Sequence, residues 1–144
     1  MSPAKPLIGI IDWAKAPLGD EESLIERSVV GDEAEVRRYL CESDADFTDE
    51  ICSASALIVW HNAPIGASGM ARLNQCRALV RNGVGFDSID ILAARDLGIA
   101  VCNVPDYGTE EVADHSIALA LALCRQLFPL HEEASQLGWA IRVE

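Results

Sequence analysis

Residues 78–103 read ALVRNGVGFDSIDILAARDLGIAVCN, and this stretch decides the fold. Ala78-Leu79-Val80 is a short apolar run of the kind a buried strand uses. It passes into Arg81-Asn82-Gly83-Val84-Gly85, where two glycines let the backbone turn tightly. Ser88 to Leu97 then predicts a helix ended by Gly98, and Ile99 to Cys102 a second buried strand. Strand, helix and strand at these short spacings make a parallel crossover unit.

Working outward, the same alternation recurs. Leu7 to Ile11 reads as a first buried strand ending at Asp12, and Pro17-Leu18-Gly19 breaks the chain before a helix opened by Asp20-Glu21-Glu22. Glu35 to Cys41 reads as a second strand. Thr48-Asp49-Glu50 starts a short helix, Ala56 to Trp60 is a third strand, and Ser68 to Leu73 is another helix. The expected fold is α/β, a flavodoxin-like, doubly wound parallel sheet. From Thr109 the character changes. Thr109-Glu110-Glu111 opens a helix with acidic residues at its positive end. That helix runs through Ile117 to Leu123, apolar on every side, so it needs cover from a second domain or another subunit. Phe128 to Glu144 has no strand pattern and reads as an exit segment.

Composition narrows the classes. Lys and Arg total 11 against 23 Asp and Glu, a net charge of −12, which is ill suited to a polyanion; no nucleic-acid partner is expected. The longest apolar run, Ile117 to Leu123, is far short of the roughly 20 residues that span a bilayer, so no membrane partner is expected either. The five cysteines are widely spaced without a C-x-x-C pair, which predicts no disulfide framework, no metal site and a reducing, cytoplasmic location. Cys102 and Cys124 sit in apolar runs, where a thiol behaves as a small hydrophobe.

The chemistry concentrates after the fourth strand. In open parallel sheets ligands bind beyond the carboxyl ends of strands, where Arg81 to Gly85 falls. Free backbone N–H groups there can hold a carboxylate, and Arg81 adds a planar cationic fork. The same residues also suit a plain glycine-rich turn with a surface arginine, and spacing does not separate the two. A dinucleotide fingerprint is excluded here, since Ser88 stands where a third glycine or alanine is required, and no acidic residue follows at the right distance. A phospho-receiver domain would share the fold, but it needs an Asp ending the third strand and a Lys ending the fifth. Val59-Trp60-His61 and Val101-Cys102-Asn103 stand there instead.

Taken together, Trp60-His61, Arg81 to Asp87, Leu97-Gly98-Ile99, Val101 to Pro105 and Glu110 to Asp114 resemble the D-isomer-specific 2-hydroxyacid dehydrogenases, nearest their C-terminal-binding-protein-like branch. The resemblance covers roughly residues 56 to 126. It implies a substrate-binding (catalytic) domain over residues 1–106, and a linker and dimerisation helix with an exit segment over 107–144. It implies reduction of a 2-keto acid to a D-2-hydroxy acid with NAD as cofactor. The backbone of Val84 and Gly85 would receive the substrate carboxylate, with Arg81 and His61 lining the pocket. Val84 and Val112 would lie near the cofactor, and the helix from Thr109 would form a homodimer. The NAD-binding Rossmann domain and the family's catalytic Arg, Glu and His are expected beyond Glu144, so this chain alone is expected to be inactive and to bind no NAD. His115, in the buried helix, and His131 read as structural. Ser88 departs from the Asn common in the family, though either can cap a helix. A non-catalytic, corepressor-like module that binds peptide partners is the alternative.

Overall fold

The computed structural model describes residues 5–18 and 24–137. The chain forms two compact units, Met1–Pro105 and Asp106–Glu144. The first unit runs β1 (Leu7–Trp13), α1 (Leu24–Val30), β2 (Glu35–Cys41), a 3-10 turn (Asp44–Asp46), α2 (Asp49–Cys52), β3 (Ala56–Val59), α3 (Ala67–Met70), β4 (Ala78–Arg81), α4 (Ile91–Asp96) and β5 (Ala100–Asn103). The expected opening of the first helix at Asp20-Glu21-Glu22 lies outside the described residues.

The five strands form one sheet in the order β2-β1-β3-β4-β5, every neighbouring pair parallel. This is the flavodoxin-like, doubly wound order. The register aligns Ile11 with Val59, Val59 with Arg81, and Arg81 with Asn103, so the carboxyl ends of four strands share one row. On one face Ile11, Leu57, Val59 and Leu79 join Ile51, Ile65, Met70, Ile89, Ala94 and Ile99 in the core. Burial on the opposite face fades across the sheet. Ile10 and Asp12 are 0% exposed, Ile58 and Val80 are half-buried, and Ala100 and Cys102 are exposed.

Several expected boundaries shift for local reasons. The helix expected from Ser88 starts three residues later, because Asp90 caps it: its carboxylate accepts from the Ala93 N–H at 3.0 Å. Ser88 is no cap; its backbone pairs with Ile65 and its hydroxyl is buried without a partner. Gly98 ends the helix in the left-handed region (φ 71°), as its type requires. The helix expected over Ser68 to Leu73 is α3 alone, and its glycine N-cap brings no side chain. Asp44 from the 3-10 turn supplies one instead, accepting from the N–H groups of Gly66 and Gly69 at 2.9 Å each.

The second unit contains α5 (Thr109–Cys124) and α6 (Leu127–Leu137). Gly108, not Thr109, is the N-cap of α5, while Glu110 and Glu111 occupy its first turn as expected. His115 on α5, expected to be buried, is exposed. The expected exit segment is helical over its first part. Pro129 sits in the first turn of α6, where a missing N–H costs nothing. Cys41, Cys52 and Cys76 are buried, while Cys102 and Cys124 are exposed despite their apolar neighbours in the chain. Sequence runs of small and apolar residues do not reveal which side of an element is covered.

Candidate functional site

The chain passes from β1 to β2 on one side and then crosses back from β2 to β3 on the other, so the switch point of this sheet lies between β1 and β3. Crevices at such points hold ligands in open α/β sheets. The residues emerging there are Asp12 near the end of β1 and Trp60-His61 directly after β3. The Trp60 N–H donates to the Ile11 carbonyl at 2.8 Å, continuing the sheet by one residue before the chain turns.

Asp12 is fully buried. Its Oδ2 accepts from the Leu18 backbone N–H at 3.1 Å and from Arg38 Nη1 at 3.3 Å, and Arg38 also donates to the Leu18 carbonyl. Its Oδ1 has no hydrogen-bond partner among the described residues. Nor has His61 Nδ1, which is buried 3.7 Å from that oxygen, although the His61 side chain as a whole is 36% exposed. His61 also holds a left-handed backbone (φ 54°), a conformation sparsely used outside glycine and often found at functional positions. Trp60 is buried beside it and donates through Nε1 to Glu26 of α1 at 3.1 Å.

One strand further along, the loop after β4 is tied down on both sides. The Gly83 carbonyl accepts from the Val104 N–H at 3.0 Å, and Asn103 Nδ2 donates to the Val84 carbonyl at 2.8 Å. Arg81 turns its guanidinium back onto this loop and donates to the Asn82 carbonyl at 2.6 Å. It packs so closely over Gly83 that a side chain there would require the guanidinium to shift. Among the described residues no acceptor meets the N–H groups of Val84 and Gly85, and Val84 is 51% exposed. Two free donors beside a guanidinium can receive a carboxylate; the Asp87 carboxylate near Gly85 opposes that field.

Of the expected site residues, His61, Arg81, Val84 and Gly85 all lie at the carboxyl end of the sheet, His61 after β3 and the others at and after the neighbouring β4. Val112 belongs to the second unit, on the first turn of α5, and is 66% exposed. Sequence reading passed over Asp12, Arg38 and Asn103. The available signal was an acidic residue closing an otherwise apolar first strand. Beneath α1 an apolar cavity of about 720 Å³ is lined by Ile25, Val29, Val30, Ile58, Trp60 and Val104, among others. Among the described residues no three His, Cys, Asp or Glu side chains gather as a metal site, and no helix is long and apolar enough to cross a membrane.

The sequence model of the D-isomer specific 2-hydroxyacid dehydrogenase catalytic domain matches residues 18–139. C-terminal-binding protein 1 of Caenorhabditis elegans is 27% identical over 128 residues, 88% of this chain and 17% of the relative. D-3-phosphoglycerate dehydrogenase of Mycobacterium leprae (strain TN) is 31% identical over 100 residues, 69% of this chain and 19% of that protein. This chain thus spans less than a fifth of either relative. A crystal structure of the NADPH-dependent glyoxylate/hydroxypyruvate reductase of Sinorhizobium meliloti with citrate superposes with TM-score 0.72 at 28% identity, covering 93% of this chain and 39% of that one. The D-lactate dehydrogenase of Aquifex aeolicus, complexed with NAD and lactic acid, shares the fold at TM-score 0.75 and 19% identity, over 93% of this chain and 39% of its own.

Proposed function

The chain belongs to the D-isomer specific 2-hydroxyacid dehydrogenases, as part of their catalytic domain, and from that premise we propose that it forms the substrate side of a 2-keto acid reductase site. The observation that carries the reading is the pair of free N–H groups on Val84 and Gly85 at the carboxyl end of β4. They receive the substrate carboxylate, Arg81 holds their loop in shape, and His61 lines the same end of the sheet. Reduced nicotinamide, when bound, supplies the hydride that converts the keto carbon to the D-hydroxy carbon. Val84 and Val112 lie near that group in this reading, while its phosphates and the proton-transfer residues belong to a cofactor-binding domain outside these residues. Residues 107–144 serve as the passage to that domain, with the helix from Thr109 as a homodimer contact and a cytoplasmic setting for the whole.

Alone, the chain holds half a site. Two charge-assisted bonds contribute about 1.5–3 kcal/mol each. Association costs at least about 4 kcal/mol. The surplus is at most about 2 kcal/mol, so binding of a keto acid should be no tighter than about 30 mM. The test is a backbone-amide NMR titration with oxamate, a 2-keto acid mimic. The expected result is saturable movement of the Val84 and Gly85 signals, with the Val84 movement lost in Gly85→Pro, and with no response to NADH and no NADH oxidation. Signals that stay still under oxamate while the chain is folded would overturn the reading, and tight NADH binding would overturn the claim of half a site. A second reading, a non-catalytic module that binds peptide partners, draws support from the apolar cavity beneath α1. It predicts that apolar peptides move the signals of Ile25 and Val29 and leave Val84 and Gly85 unaffected.

A further inference from the structure

Asp12 and His61 confront each other at the switch point with a carboxylate oxygen and a ring nitrogen that are both buried, both without a hydrogen-bond partner among the described residues, and 3.7 Å apart. A carboxylate oxygen only accepts, so it faces Nδ1 favourably only when that nitrogen carries the proton. The other carboxylate oxygen is already engaged by the Leu18 N–H and Arg38, which fixes the plane of the group and leaves Oδ1 aimed at the ring. His61 itself stands in a left-handed backbone conformation (φ 54°) directly after β3. We propose that Asp12 is a positioning residue that sets the tautomer of His61, placing the proton on Nδ1 and leaving Nε2, on the other side of the ring, as a hydrogen-bond acceptor. The inference deepens the proposed function and rests on it only for the ligand. An acceptor at Nε2 takes the hydroxyl of a 2-hydroxy acid, whereas a neutral ring protonated at Nε2 would favour the keto oxygen.

The isosteric variant Asp12→Asn makes a sharp test. The Leu18 N–H and Arg38 require an oxygen at the Oδ2 position, so the new amide places its NH2 group where Oδ1 stood. There it donates to Nδ1 and forces the proton to Nε2, inverting the tautomer. The readout is the two-bond nitrogen–proton NMR pattern of the imidazole rings, recorded at alkaline pH. Exposed His115 and His131 serve as references in the same spectrum. The expected result is an Nδ1–H ring for His61 in the wild-type chain and an Nε2–H ring in Asp12→Asn. A wild-type His61 with the same pattern as the references, or a folded variant that leaves the pattern unchanged, overturns the proposal. The wild-type spectrum needs no substitution, so it decides even if the variant fails to fold. Titration with D-lactate reads the other premise separately. An Nδ1–H ring whose signals ignore D-lactate upholds the role of Asp12 and overturns the reading of this end of the sheet as a substrate site.

Discussion

Asp44 shows how much one side chain can settle. Its carboxylate does for α3 what the glycine N-cap cannot, accepting from two N–H groups of the first turn, and it sits where any side chain at position 69 would have to go. Helix propensity alone says that Gly69→Ala should stabilise by up to about 1 kcal/mol. The contact says the reverse, because Asp44 must be displaced and its two bonds broken. We expect Gly69→Ala to destabilise by about 1–3 kcal/mol, as overpacked sites do. Asp44→Ala should cost about 0.5–2 kcal/mol, as lost caps do. Urea denaturation of both variants checks this, and a stabilised Gly69→Ala would show that Asp44 moves aside freely. The cap was hidden in the sequence because residues 44 and 66 meet only after β3 has crossed between them. Gly98, by contrast, was legible: a left-handed helix end asks for glycine from purely local sterics.

Among the elements α5 stands out. Ile117, Leu119, Leu121 and Leu123 are 46–73% exposed along one helix. Apolar surface gathered in this way marks an interaction site or an aggregation liability. The all-round apolar run was plain in the sequence, since periodicity is local; which residues become covered was not. We expect light scattering to find a dimer or larger species, and Leu121→Glu with Leu123→Glu to yield monomer while the circular dichroism of the sheet unit persists. A monomeric wild-type chain would remove the homodimer contact from the proposed function. The start of α4 differs from the expected Ser88 for a tertiary reason. Ser88 and Asp90 are both capping types two residues apart, and only the pairing of the Ser88–Asp90 backbone with Ile65 selects Asp90.

For the molecule as a whole, the uneven covering of the sheet governs reactivity. Thiol reagents should label Cys102 rapidly at any protein concentration and Cys124 rapidly only where the chain is monomeric, leaving Cys41, Cys52 and Cys76 for denaturant. Fast labelling of a third cysteine in the folded chain would contradict this burial. Burial also pushes the Cys41 thiol from 9.0 up to about 11, helped by the nearby Asp46 carboxylate, and raises that of Cys76. A raised thiol keeps its proton in the folded chain where the unfolded chain has lost it, so stability is full below pH 9 and declines between about 9 and 11. Burial, with Glu50 beside it, lifts the Tyr39 hydroxyl from 10.0 to about 12 and extends the decline. Thermal melts across that range should show it, with a shallower slope for Cys41→Ala; a flat profile would refute it. By itself the sequence determined the alternation of strands and helices, the parallel sheet, the carboxyl-end loop from Arg81 to Gly85 and the family motifs, because each rests on residues near one another in the chain. Only the tertiary structure decided that Asp12 faces His61, that Arg81 folds onto its own loop, and that one sheet face is left partly open. Those facts depend on strand order and register, which bring distant residues together and which no local pattern encodes.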